Sequence, residues 1–285
     1  GAAAKMAELV VKHGDDASRA VASERLADMG RGLGTTVPTD LLRAMAQVCG
    51  EPVVRFALDL AASHTGDVSS QGNALICVVQ GGAPGCGAGC GGAEHVEPLL
   101  GIAEDAAQDE RIRAAAYDAL RSKATAAHAG RFVAMIDDPD LRYKATGVDM
   151  ALHVGGPEQA VAILERMGRA KTPWAWKRRV PAGMEYGLCN MGLGILDQPQ
   201  GMAEVMVKAL SHGDPHVRGG AANVLGIIGT ESHRPALEAL RGDRARLPGW
   251  QPATVGGQAS KAISRITDPG RPETVSLRRG RACGL

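Results

Sequence analysis

Asp214-Pro215-His216-Val217-Arg218 and the following Gly-Gly-Ala-Ala-Asn-Val-Leu225-Gly-Ile-Ile-Gly229 form the stretch that decides the fold. Asp214 is predicted to be the N-cap of a helix. Pro215 suits the first helical position because the N–H of that position has no partner within the helix, so a proline loses no hydrogen bond there. The glycines and alanines allow another helix to approach closely, while Leu225 is predicted to fill a shared core. Arg218 lies one turn after Asp214, which predicts an exposed ion pair between them.

The same pattern recurs along the chain and can be aligned on its arginine. Clear copies are centred on Arg19, Arg55, Arg113, Arg142 and Arg218, with weaker ones at 69–79, Arg179 and Gly256. The aligned positions of neighbouring copies, such as Arg19 and Arg55 or Arg113 and Arg142, lie 29 to 39 residues apart. This period is typical of stacked helical hairpins. A second set of amphipathic helices is predicted between them at 39–48, 94–103, 129–136, 157–167, 202–210 and 234–240.

The Asp-Pro-x-Val/Leu-Arg starts at 214–218 and 138–142, with the Pro-Ala-Leu-Glu-Ala-Leu helix at 235–240, resemble HEAT repeats in the short bacterial form also found in phycobilisome lyases. The resemblance covers about residues 15–267. It implies an all-α, right-handed α-solenoid of about seven HEAT-like helical hairpins. We expect one continuous repeat domain over 1–267 and a Pro/Gly/Arg-rich tail over 268–285.

The resemblance implies a scaffold that presents a concave surface to another protein, since such repeats serve many functions and no chemistry stands out here. The His-Glu dipeptides of HEAT-repeat hydroxylases are absent, and Glu94-His95 has the reverse order. A bilin lyase-like protein is a lower alternative. We predict no catalytic, cofactor-binding or metal-binding residues, and the sequence leaves the oligomeric state open.

Charge and composition narrow the choice of partner. Lys+Arg number 32 against 31 Asp+Glu, so the chain lacks the overall basic footprint of a nucleic-acid-binding protein. Aromatic residues make up 3%, which predicts an aliphatic core of closely stacked helices. No apolar run is long enough to predict a membrane-spanning helix.

The Gly/Cys-rich stretch 81–92 interrupts the repeat and predicts a protruding loop. Cys86 and Cys90 could form a disulfide, remain as thiols or bind a metal with His95 as a further ligand, and we favour a disulfide involving at least one of them. Cys77 is predicted to be a plain buried residue. A disulfide would favour an extracytoplasmic location over the cytoplasm.

The segment 172–181 carries Trp174, Trp176 and the cations Lys177, Arg178 and Arg179. Aromatic rings beside cations can stack on bases and contact phosphates, so this Trp-cation patch predicts an alternative function as a nucleic-acid-binding protein or DNA-modifying enzyme. The competing interpretation is a degenerate repeat start whose tryptophans pack between repeats, and we favour it.

Overall fold

A computed structural model describes residues 2–84, 86, 88–137, 141–169, 201–248, 252–268 and 270. Within these ranges the chain forms fourteen α-helices, and the only extended pairing is a single antiparallel bridge between Arg246 and Thr254. The predicted all-α solenoid class is confirmed. The chain divides into two compact units, residues 1–124 and 125–285, whereas the predicted domain boundary at 267 remains a prediction.

The first unit consists of stacked helices in which α2 packs on α4, α4 on α5 and its continuation, and these in turn on α7. The α5 helix continues as a π-helix over Leu75–Gln80. The helices are α1 (Ala2–His13), α2 (Asp16–Leu33), α3 (Thr39–Val48), α4 (Glu51–Ala62), α5 (Val68–Ala74), α6 (Val96–Glu104) and α7 (Glu110–Leu120).

The second unit is also built of packed helices, with α8 against α9, α11 against α12 and α12 against the last helix. Residues 170–200, which contain the Trp-cation patch, lie outside the described residues. The helices are α8 (Ala129–Ala134), α9 (Leu141–Gly155), α10 (Gln159–Arg169), α11 (Met202–Ala209), α12 (Pro215–Ile228), α13 (Arg234–Glu238) and α14 (Val255–Ile266).

The predicted acidic residues cap helices. The carboxylates of Asp15, Asp109 and Asp214 each accept a hydrogen bond of 2.8 Å from a backbone N–H in the first helical turn. These bonds satisfy donors that have no partner inside the helix. The repeat arginines lie near helix starts, as predicted.

The predicted pairing of each arginine with the acid one turn earlier is wrong for Arg218. Its Nε donates to Asp243 at 2.9 Å, a residue that follows α13, and its Nη1 donates to the carbonyls of His212 and Gly213. The Asp214 carboxylate instead accepts the backbone N–H of His216, and the Arg218 side chain extends to the next repeat. Arg55 does form the predicted pair, with Glu51 at 3.0 Å.

The small residues of α12 are explained by close helix packing. A Cβ atom added to Gly220 would lie 2.5 Å from the Leu164 side chain of α10, and one added to Gly226 would lie 2.8 Å from the backbone of Ala262 in α14. Leu225 is fully buried. These positions therefore hold α12 between two neighbouring helices at distances that larger side chains would prevent.

Candidate interaction groove

The Gly/Cys-rich loop is fixed by two disulfides, and neither joins Cys86 to Cys90. Cys90 pairs with Cys49 at the end of α3, the long-range disulfide, with 5.2 Å between the Cα atoms. Cys86 pairs with Cys77 of the π-helix, the local disulfide, with 4.9 Å between the Cα atoms. Both Cys86 and Cys90 are therefore disulfide-bonded, as favoured from the sequence, but the alternative in which they pair with each other is wrong. Cys77 is buried as predicted, but it is a disulfide partner and not a plain core residue.

The glycines of this loop allow it to fold back on itself. Gly81 and Gly89 both have positive φ, 78° and 81°, and a Cβ on either would overlap the backbone of the other strand of the loop. The N–H of Cys90 donates to the Val78 carbonyl at 2.7 Å. The predicted protruding loop is therefore a compact one that lies against the end of the π-helix.

His95 connects this loop to the start of α4. Its Nδ1 accepts from the Gly92 N–H at 3.0 Å, so the proton is on Nε2, which donates to the Glu51 carboxylate at 3.0 Å. This bond, together with that from Arg55, holds the pKa of Glu51 below its ordinary value. The buried imidazole thus fixes the first turn of α6 beside the first turn of α4.

Two buried glutamines fix the other end of α4. The Gln71 amide donates to the carbonyl of Leu60 at 3.0 Å, and the Gln108 amide donates to that of Ala61 at 2.8 Å. Both also donate to Ser63. These bonds satisfy carbonyls that the end of a helix leaves without partners. Since α6 is tied to α4 at its start and Gln108 follows α6, the two helices run side by side in the same direction.

The space between these two helices is the α4–α6 groove. It encloses about 220 Å³. Its lining residues are Leu58, Asp59, Ala62, Pro98, Gly101, Ile102, Asp105 and Gln108. The surface is therefore an apolar floor of small and aliphatic side chains with carboxylates at the rim.

The charge of the rim is negative. Asp59 is exposed and forms no ion pair with any described residue, while Asp105 contacts His64 at 3.1 Å. A Cβ added to Gly101 would meet no atom within 4 Å, so the middle of the groove is open. This combination suits a ligand with an apolar side chain and a cation.

Histidine plays a repeated local role that the sequence reading missed. Three turns of the form Gly/Thr-x-x-His precede helices of the second set. In each, the His Nδ1 accepts the N–H of the residue three earlier: Gly92 to His95, Thr125 to His128 and Thr230 to His233. The spacing was visible as Gly-Ala-Glu-His, Thr-Ala-Ala-His and Thr-Glu-Ser-His, although the histidines looked scattered.

Near the Trp-cation patch in sequence, the described residues border a second cavity of about 540 Å³, lined by Asp137, Lys144, Arg166 and Arg169. Arg166 pairs with Asp137, and Lys144 donates to the Ile136 carbonyl at 2.8 Å. The pKa of Asp137 is lowered, first by its bond from Arg166. The cations here are thus already engaged within the protein.

Among the described residues, no group of three or more His, Cys, Asp or Glu side chains is arranged to hold a metal ion. None of the helices in the described ranges is both long enough and apolar enough to span a membrane.

Comparison with known proteins adds little. No protein-family model matches the chain, and no curated protein matches it. Among solved structures, it is similar to the designed armadillo repeat protein YIII(Dq)4CqI, with 14% identity and a TM-score of 0.23 over 93% of this chain and 99% of the other. The helical repeat class therefore rests on the helices and the repeated residues described above.

Proposed function

We propose that the protein is a non-enzymatic scaffold of the HEAT class that binds a basic segment of another protein in the α4–α6 groove. The observation that carries the proposal is the apolar floor with Asp59 and Asp105 at its rim. Apolar anchors and charge complementarity are the ordinary means of peptide recognition on helical surfaces.

Rigidity of the groove supports the proposal. His95 fixes the starts of α4 and α6 to each other, and Gln108 fixes the end of α4. The long-range disulfide attaches the neighbouring loop to α3. A groove that is already formed loses little conformational entropy when a partner binds.

The HEAT assignment is part of the same proposal. A helix of the arginine-bearing set is followed by one of the second set in α2–α3, α7–α8, α9–α10 and α12–α13, which fits a two-helix repeat, whereas α4 is followed by α5, a weaker copy of the arginine-bearing pattern. Arg218 contacts Asp243 of the following helical pair, so the repeat arginine links one hairpin to the next.

A display library of peptides with no fixed sequence tests the proposal. We expect selected peptides to combine Lys or Arg with Leu, Ile or Val, and their binding to weaken with salt. Asp59→Lys should reduce binding at least tenfold, whereas Asp118→Lys on the exposed surface of α7 should not. Selection of acidic peptides, or equal binding to both variants, would contradict the groove assignment.

A second candidate is a nucleic-acid-binding function of the Trp-cation patch. It is favoured by the residue types of the patch, in which two tryptophans stand beside three consecutive cations. The double variant Trp174→Ala, Arg178→Ala should then abolish salt-sensitive retention on heparin and single-stranded DNA without lowering the melting temperature. Unchanged retention leaves only the packing interpretation of the tryptophans.

We further propose that the chain folds in an oxidising, extracytoplasmic compartment. Cys49, Cys77, Cys86 and Cys90 are all disulfide-bonded, and such bonds persist in secreted and periplasmic proteins. Mass spectrometry after thiol alkylation of protein from its native source tests this. Alkylation of all four residues would overturn the proposal.

A further inference from the structure

The exposed large apolar side chains of the described residues lie on two consecutive helices. In the described part, every exposed large apolar side chain belongs to α1 or α2, with an exposed fraction of at least 45%. They are Leu9, Val11, Val21, Met29 and Leu33. Such a concentration marks an interaction site more often than scattered apolar residues do.

The repeat explains why this face is apolar. Val21 lies two residues after the repeat arginine. The equivalent residues Ala57 and Ala115 are buried in the stack, and Gly220 lies directly against Leu164 of the preceding α10. This position therefore faces the preceding helix in α12 and is buried in α4 and α7, whereas on α2 no described element covers it.

The charges of α2 show what could cover it. Val21, Arg25, Met29 and Leu33 lie four residues apart and form one stripe along the helix. Arg25 forms no ion pair with any described residue, and Asp28 lies beside the stripe, paired at 2.6 Å with Arg31. The stripe thus offers an unpaired cation near its middle and a carboxylate three residues further along.

We propose that this face binds the same face of a second copy of the chain, with the two α2 helices antiparallel. A two-fold axis near residue 27 places Val21 of each copy near Leu33 of the other. The same axis brings Arg25 of each copy near Asp28 of the other. Every contact then occurs twice, as a symmetric dimer requires. The apolar side chains of both stripes are also removed from contact with water, which favours association.

Charge reversal tests the pairing directly. Analytical ultracentrifugation of the full chain from about 1 to 200 µM should show a concentration-dependent dimer. Arg25→Glu and Asp28→Arg should each raise the dimer Kd at least tenfold, because each places like charges together. An equimolar mixture of the two variants should recover the dimer, since each Arg25–Asp28 contact is again between opposite charges.

Control variants separate this interface from a general loss of structure. Asp118→Arg makes the same charge change on α7 and should leave the dimer unchanged, and circular dichroism should show every variant folded. Val21→Glu should also abolish the dimer. A monomeric wild type at 200 µM, a dimer that survives Arg25→Glu, or folded variants that fail to associate when mixed would each overturn the proposal.

Discussion

Removing Arg218 should cost far more stability than removing Arg55, although the two occupy the same position in the repeat. The Arg218 side chain is 17% exposed and its partner Asp243 is 20% exposed, and the guanidinium makes two further bonds to carbonyls. Arg55 and Glu51 are 70% and 53% exposed. Loss of a largely buried, charge-assisted network costs about 2–4 kcal/mol, whereas an exposed pair contributes less than about 0.5 kcal/mol.

Urea unfolding of the full chain, monitored by hydrogen exchange and mass spectrometry, measures the stability of peptides from each of the two units separately. Arg218→Ala should destabilise peptides from 201–248, and Arg55→Ala should leave peptides from 51–62 almost unchanged. A double-mutant cycle with Asp243→Ala should give a coupling free energy above about 1 kcal/mol. Equal losses in the two variants, or no coupling, would refute the inter-repeat role of the arginine.

Further predictions concern the core, the disulfides and pH. Leu225→Ala should cost about 2–5 kcal/mol in the same unfolding assay, and a smaller loss would contradict its place in the shared core. The separation is 41 residues in the long-range disulfide and 9 in the local one. Replacing the two cysteines of the long-range disulfide with serine should therefore lower the free energy of unfolding by about 4 kcal/mol, and replacing the two of the local disulfide should lower it by about 2.5 kcal/mol. Equal losses in the two variants would argue against these pairings. Burial raises the pKa of Asp243, but bonds from the Ala245 N–H and Arg218 outweigh it and hold the pKa below its ordinary value. Its contribution is therefore present above about pH 4 and is lost as the pH falls below that range. Asp243→Asn should accordingly reduce the loss of stability on acidification to pH 3, as measured by urea titration.

The periodic parts of the chain could be predicted from sequence because they obey local rules. The second-set predictions at 39–48 and 202–210 agree with α3 and α11 almost residue for residue. Apolar spacing, acidic caps and proline positions act within a few residues of one another. The all-α class follows from these signals alone.

The site could not be predicted in the same way because its residues meet across the chain. Cys90 reaches Cys49 over 41 residues, and Gln108 reaches the carbonyl of Ala61 over 47. The choice between Asp214 and Asp243 as the partner of Arg218 depends on where the next hairpin lies. No spacing rule gives such contacts, so the loop and the α4–α6 groove emerge only from the packed structure.

The central claim is that the α4–α6 groove is the surface that binds a partner. Gly101 lines the groove, and a Cβ there meets no atom within 4 Å, so Gly101→Trp should place an indole ring in the groove without a clash at its Cβ. Gly130→Trp is its matched control because a Cβ there also meets nothing within 4 Å. Isothermal titration calorimetry with a display-selected basic peptide measures both. Loss of binding in Gly101→Trp with unchanged affinity in Gly130→Trp is the predicted result. Equal affinity for the two variants would contradict the claim.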